Sequence, residues 1–317
     1  MGPENVTTME GFILLGITDE RDLQIFCFVF FLTFYLFNLL GNLCIVLLIT
    51  IDHSLYKPMY YFLANLSFLD IFYSTTTVPK MLSGLLVGDK RISIFGCIAQ
   101  LHFFHFLGST EALLLTSMSY DRYVAICNPL RYHVLMGRNS CLQLASSCWL
   151  IGFLYSLLQT IITFRLPYCN RRQVTHFYCD IKPVIKLACA NTKQSELLVS
   201  GIFAIVAVST FSLIIVSYMY IGSHLLNIQS RQDRRKAFST CTSHITVVFL
   251  YIGTALCMYL GPTTENSLEQ DRMSAILVTV ITPALNPLIY TLRNKVVKKS
   301  LQRLLGRTQY CAKCYQD

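Results

Sequence analysis

Two carboxylates, Asp70 and Glu111, sit inside long apolar runs. A charge at mid-membrane costs several kcal/mol, so such a group normally faces a helix-bundle interior with a partner. Asn42, Ser119 and Asn286 are candidates for the same polar core. Two acids beside amide oxygens suit a small hard cation; the plainer alternative is a pair of hydrogen-bonded carboxyls with a structural role only. A second constellation is Asp121-Arg122-Tyr123, at the end of an apolar run. There an acid can hold a guanidinium locally, and its release frees a rigid donor fork for another helix or a partner protein. An ordinary surface charge pair, worth little, is the competing reading. A third is Asn286-Pro287-Leu288-Ile289-Tyr290, where a helix-interior proline removes one backbone bond and kinks the helix. A kinked polar segment offers two arrangements, as a switch requires, although prolines are also tolerated in membrane helices without such a role.

His102 and His105 are three residues apart, a spacing open to a metal but more often that of packing or pocket-lining histidines. No Ser-His-Asp set, phosphate-binding glycine loop or zinc-protease signature is visible, so the sequence gives no enzyme, no cofactor and no metal site. Cys97, Cys169, Cys179 and Cys189 fall in segments expected outside the cell, where disulfides persist. Four cysteines allow three pairings, and sequence alone does not choose.

The elements that carry these residues are dictated by solvent. Of 317 residues, 54% are hydrophobic and 14% charged, and mean hydropathy is +0.50. Soluble domains carry about 25% charged residues, and water would not tolerate so much apolar surface. Lipid does, and a spanning helix needs about 20 apolar residues. Seven such runs are legible, at about 25–51, 58–82, 97–126, 141–164, 197–226, 238–260 and 273–292. The reading is an all-α membrane protein: a 1–24 extracellular N-terminus, a 25–292 seven-transmembrane helix bundle and a 293–317 tail. The third and seventh runs read as the least apolar, hence interior. In the tail, Val296, Val297, Leu301, Leu304 and Leu305 alternate with basic residues, the pattern of a short amphipathic eighth helix lying on membrane lipids. Cys311 and Cys314 beyond it are candidates for palmitoylation.

The net charge of +9 sits beside apolar runs, so it reads as a topology signal and not as nucleic-acid binding. Basic residues concentrate in the segments that are cytoplasmic if the N-terminus is outside. The long loop after the fourth span, with Arg165, Arg171, Arg172, Lys182, Lys186 and Lys193, weakens that bias. Asn5-Val6-Thr7 is an N-glycosylation sequon and favours the same orientation. The expectation is a multi-pass plasma-membrane protein with an extracellular N-terminus and a cytoplasmic C-terminus.

Four long stretches and one residue pair resemble one receptor family. They are 58–70 (PMYYFLANLSFLD), 118–130 (MSYDRYVAICNPL), Ser217-Tyr218, 236–244 (KAFSTCTSH) and 283–294 (PALNPLIYTLRN). In order and over nearly the whole chain, they look like the olfactory receptors of the tetrapod-type class, a branch of the rhodopsin-like G-protein-coupled receptors. The resemblance implies bridges Cys97–Cys179 and Cys169–Cys189 and a cation site at Asp70 and Glu111. It implies coupling to the stimulatory olfactory G protein and a rise in cyclic AMP. Asp121, Arg122, Tyr123, Tyr218, Asn286, Pro287 and Tyr290 would carry activation. It also implies an odorant pocket among the outer halves of the third, fifth, sixth and seventh spans. The expected lining is Phe104, His105, Gly108, Ser109, Ile202, Phe203, Val206, Ile252, Ala255, Leu256, Tyr259, Ile276 and Thr279. That lining is mostly apolar and holds no acid near Phe104, so the expected ligand is a small, neutral, volatile organic molecule. The chain departs from the family pattern at Tyr56, usually histidine, at Ile252, usually tyrosine, and at Gly261-Pro262, usually Arg-Pro. A receptor for a non-odorant ligand is the nearest alternative. A transporter would need internal repeats and broken helices, which are not seen.

Overall fold

The computed structural model describes residues 11–169, 171–260, 267–293 and 296–303; for 233, 236, 239, 240, 243, 255–260, 267–271 and 291–293 it describes the backbone alone. Seven long helices dominate: α1 (Arg21–Ile51), α2 (Pro58–Val87), α3 (Ile94–Cys127), α4 (Arg138–Phe164), α5 (Lys193–Leu226), α6 (Arg231–Leu260) and α7. The last runs as Ser267–Ile276, a π-helical stretch Leu277–Ile281, and Thr282–Arg293. Each helix extends the apolar run read from sequence by a few residues, because polar end groups continue the backbone ladder past the greasy core.

Four of these helical segments, Arg21–Ile51, Arg138–Phe164, Lys193–Leu226 and Arg272–Tyr290, are long and apolar enough by themselves to cross a membrane. The seventh is therefore more apolar than the sequence reading ranks it. Lipid-facing surfaces are plain: Phe26, Leu40, Leu150, Ile205, Val208 and Met219 are each more than half exposed. Such a surface is stable only against hydrocarbon.

α3 is the central post, packed against α2, α4, α5 and α6. Its contact with α4 is closest-fitting around Gly152, where no side chain intervenes. A side chain there would meet Thr110 Oγ1 at 2.2 Å and Phe106 O at 3.2 Å. Absence of a Cβ lets the two backbones approach, as small residues do in membrane interfaces.

At one end of the bundle, loops form a cap. A three-stranded sheet has the order β2-β1-β3, from β1 (Gly11–Leu14), β2 (Arg91–Ser93) and β3 (Gln173–Val174). The N-terminal strand thus joins the loop after α2 to the loop after α4, a pairing invisible in local sequence. Disulfides Cys97–Cys179 and Cys169–Cys189 tie the long loop to α3 and to itself. At the opposite end, residues 296–303 are helical, with Val297 and Ser300 buried and Lys298, Lys299 and Arg303 exposed. That is the expected amphipathic helix, although Leu304, Leu305, Cys311 and Cys314 lie outside the described residues.

Candidate functional site

The site is a column down the bundle axis. At the disulfide end, the loop after α4 turns inward. Phe177, Tyr178, Cys179 and Asp180 are buried, and the Tyr178 ring lies 4.8 Å from that of Phe104. Gln100 fixes this descent: its Oε1 accepts from Cys179 N (2.9 Å) while its Nε2 donates to Thr76 O (3.0 Å). Asp180 then binds His105 Nε2 at 3.0 Å and accepts from Ile181 N at 2.7 Å. Burial works against the Asp180 charge. Hydrogen bonds from His105 and Ile181, with the imidazoles of His105 and His176, outweigh it and hold the carboxyl below its ordinary value. His102 points elsewhere, toward Ser156 on α4, with its Nδ1 3.1 Å from Ser156 Oγ. Three residues of helix separate the two imidazoles by nearly a full turn, yet they serve different neighbours. Among the described residues no three metal-ligating side chains gather.

Under this loop lies a cavity of ≈ 80 Å³. An apolar protein cavity of about 150 Å³ holds benzene, so this one suits only a small molecule unless side chains adjust. Its lining includes Phe104, His105, Gly108, Ser109, Phe203, Val206 and Ile252, all expected from sequence. Ile202, Ile276 and Thr279 do not line it. On α5, Phe203, Val206, Ala207 and Thr210 share the inward face at helical spacing, and Ile202 lies about 100° away from Phe203. On α7, the π-helical stretch adds a residue to the turn and brings Val278 inward, while Thr279 donates to Ala275 O at 2.8 Å. The side chains of Ala255, Leu256 and Tyr259 lie outside those described, as does Asn5. Sequence reasoning missed Tyr73 on α2, Ala112 on α3, Tyr155 on α4 and Tyr251 on α6. Tyr251 donates to Gly108 O, so the α6–α3 link at the cavity floor is made by the residue next to the departure at Ile252.

Below the cavity is a buried polar layer. Asn286 Nδ2 donates to Asp70 Oδ2 at 2.9 Å. Asn38 donates to Asp70 O and Ser74 Oγ, and Asn42 donates to Asn38 Oδ1 (2.6 Å) and Pro283 O (3.2 Å). Asp70, Asn38, Asn42, Asn286 and Glu111 are all at most 1% exposed. Ser119 stays apart, donating to Thr116 O of its own helix at 2.7 Å. Asp70 Oδ1, Glu111 Oε1, Asn42 Oδ1 and Asn286 Oδ1 have no hydrogen-bond partner. Four buried acceptors without donors are an unusual concentration.

At the far end, Arg122 is bound to Asp121, whose other oxygen accepts from Tyr132 at 2.8 Å. Asp121 is wholly buried, and the Arg122 side chain is 12% exposed. Beside them, His244 Nε2 lies 3.0 Å from Leu115 O and its Nδ1 lies 2.7 Å from the Tyr218 hydroxyl. A carbonyl only accepts, so Nε2 carries the proton and Tyr218 donates to Nδ1. This bond pair ties α5 and α6 to α3. Tyr290 is buried with its hydroxyl unpartnered. Tyr123 packs between α3 and α5 with its ring 5.8 Å from that of Tyr220.

Comparison with known proteins agrees with this architecture. The olfactory receptor family model matches residues 27–308. Human olfactory receptor 12D1 is 49% identical over 96% of this chain and 95% of its own length. Human olfactory receptor 12D2 is 48% identical over 96% of this chain and 99% of its own. Human olfactory receptor 10G7 is also 48% identical, over 95% of this chain and 96% of its own, so identity alone does not separate subfamilies. With a seven-helix bundle, a capped cavity and the signature stretches in place, the chain belongs to the olfactory receptor family, and is a multi-pass plasma-membrane odorant receptor of the G-protein-coupled class and not an enzyme.

Proposed function

We propose that the chain binds small, neutral, volatile organic molecules in the cavity beneath the disulfide-tied loop and activates the stimulatory olfactory G protein, raising cyclic AMP for the sense of smell. The observation that carries this reading is one continuous column. An apolar cavity stands on a buried polar layer, which stands above a clamped Arg122. A ligand that fits one bundle arrangement better shifts the population toward it. The shift breaks the Tyr218–His244–Leu115 link, lets α6 move from α3, and frees Arg122 for the G protein. Asn286, Pro287 and Tyr290 give α7 the freedom to follow. Asp70 and Glu111, with Asn42 and Asn286, would hold a small hard cation that favours one of the two arrangements.

Orientation follows from chemistry. Two disulfides cap one end and belong outside the cell, whereas exposed Lys298, Lys299 and Arg303 at the other end belong inside. The N-terminus is then extracellular, with Asn5 open to glycosylation, and the C-terminus cytoplasmic. A cyclic AMP screen of the receptor in cells against a panel of volatile compounds tests the function. Arg122→Ala should abolish the response while surface display persists. A full response in that variant removes Arg122 from the mechanism, and responses confined to charged amines or peptides refute the neutral ligand class.

A further inference from the structure

α4 contributes to the cavity through Tyr155, and the bonding of that residue is incomplete in an informative way. Gln159, one turn along and fully buried, donates from Nε2 to Val199 O at 3.2 Å. A backbone carbonyl can only accept, so this bond fixes which end of the amide is nitrogen. The same nitrogen lies 3.1 Å from the Tyr155 hydroxyl. With both amide hydrogens so placed, the phenol oxygen is the acceptor, and its own proton must point elsewhere. Among the described residues, no other group lies within hydrogen-bond distance of the Tyr155 phenol to take that proton.

The other polar groups at the cavity wall, the Tyr73 hydroxyl apart, are committed. Ser109 donates to His105 O, Thr210 donates to Val206 O, Tyr251 donates to Gly108 O, and His105 holds Asp180. Tyr73 is stacked on Phe104 at 5.1 Å, and its hydroxyl makes no hydrogen bond among the described residues, so it differs from Tyr155 in having no neighbour that sets its orientation. Tyr155 presents a donor at a mostly apolar wall, and accepting a bond from Gln159 both orients it and strengthens it as a donor, which sets it apart from Tyr73. An anion is disfavoured by the nearby Asp180 carboxylate, and no lysine or arginine lines the cavity.

Resting on the receptor reading above, we propose that Tyr155, preset by Gln159, reads the polar atom of the ligand. The preferred chemical class is then a neutral molecule with a hydrogen-bond-acceptor oxygen, a ketone, aldehyde, ester or ether, over the hydrocarbon of the same shape. Gln159 acts as a positioning residue, since it touches Tyr155 and not the ligand.

The test pairs 2-heptanone with 2-methyl-1-heptene, in which CH2 replaces the carbonyl oxygen, alongside matched ester–alkene and ether–alkane pairs. Cyclic AMP dose–response curves are normalised to surface display measured with an N-terminal epitope tag. The parent receptor should favour the oxygenated member of a pair by roughly fivefold to tenfold, the scale of one net hydrogen bond. Tyr155→Phe should erase that preference by weakening only the oxygenated ligand, and Tyr73→Phe should keep it. A parent that responds equally to both members, or a preference that survives Tyr155→Phe and falls in Tyr73→Phe, overturns the assignment while leaving the receptor reading intact. A surface-displayed parent silent to the whole panel overturns both.

Discussion

The close approach of α3 and α4 at Gly152 gives a quantitative test. A methyl group built on Gly152 would lie 2.2 Å from Thr110 Oγ1, 3.2 Å from Phe106 O and 3.2 Å from Ser109 Oγ. Ordinary contact begins near 3.4 Å, so Gly152→Ala forces roughly 1 Å of movement between α3 and α4. Overpacking a well-packed interior costs about 1–3 kcal/mol. For a domain of 150–250 residues, about 2–4 °C of Tm accompanies each kcal/mol, so the variant should melt roughly 2–12 °C lower in detergent. Because the first clash is a side-chain oxygen, Thr110→Ala should recover most of the loss in the double variant. Thr110 itself donates only to Phe106 O, a bond within its own helix, so its single variant should cost little. Ser109 and Tyr155 both lie within one turn of the contact and line the cavity; ligand potency should therefore fall together with stability. Thermal melts of parent, two single variants and the double variant form the cycle. Additive losses, with no recovery from Thr110→Ala, would refute the close-approach argument.

Three further outcomes are expected. Asp180→Ala leaves the His105 and Ile181 donors buried without an acceptor, which costs about 1–3 kcal/mol each way of counting; a lower melting point and weaker ligand response should follow, and unchanged values would show the loop is held by its disulfides alone. Tyr218→Phe and His244→Phe each break the α3–α5–α6 link, so each should raise basal cyclic AMP, and the double variant should do no more than the larger single; strictly additive effects would mean the two act separately. The Ser300 hydroxyl and the Ser54 N–H hold the Asp52 carboxyl at about 2. A depressed carboxyl contributes stability that is complete above its ordinary value of about 4 and lost as pH falls through about 2. The melting difference between parent and Ser300→Ala should thus stay constant from pH 8 to pH 5, and a difference that closes across that window would contradict the bond.

What was legible in the sequence and what was not divide along a physical line. Spanning helices are readable because lipid imposes a local rule: backbone groups must bond within the segment, and about 20 consecutive side chains must be apolar. The same rule makes Asp70, Glu111, Asp121 and Arg122 conspicuous as charges in the wrong solvent. Family membership followed from contiguous stretches. The extent of the cap did not, since β1 pairs with strands from two distant loops and its four residues carry no signal of either partner.

The cavity shows the division at single-residue scale. On α3 the expected positions 104, 105, 108 and 109 line the cavity because a regular helix projects them to one side, and only the next turn, Ala112, escapes the reading. Its α7 wall was misassigned because a π-helical stretch shifts the inward position to Val278, and no composition cue marks that shift. Tyr155 and Tyr73 escape the reading because the expected pocket is confined to the third, fifth, sixth and seventh spans, whereas α4 and α2 each add one side chain to the lining. The sequence alone thus determined solvent, span number and the charged groups that needed neighbours. Tertiary structure decided which neighbours they received, because hydrogen-bond partners such as Asn286 for Asp70 and Asp180 for His105 are far apart along the chain and meet only when helices pack.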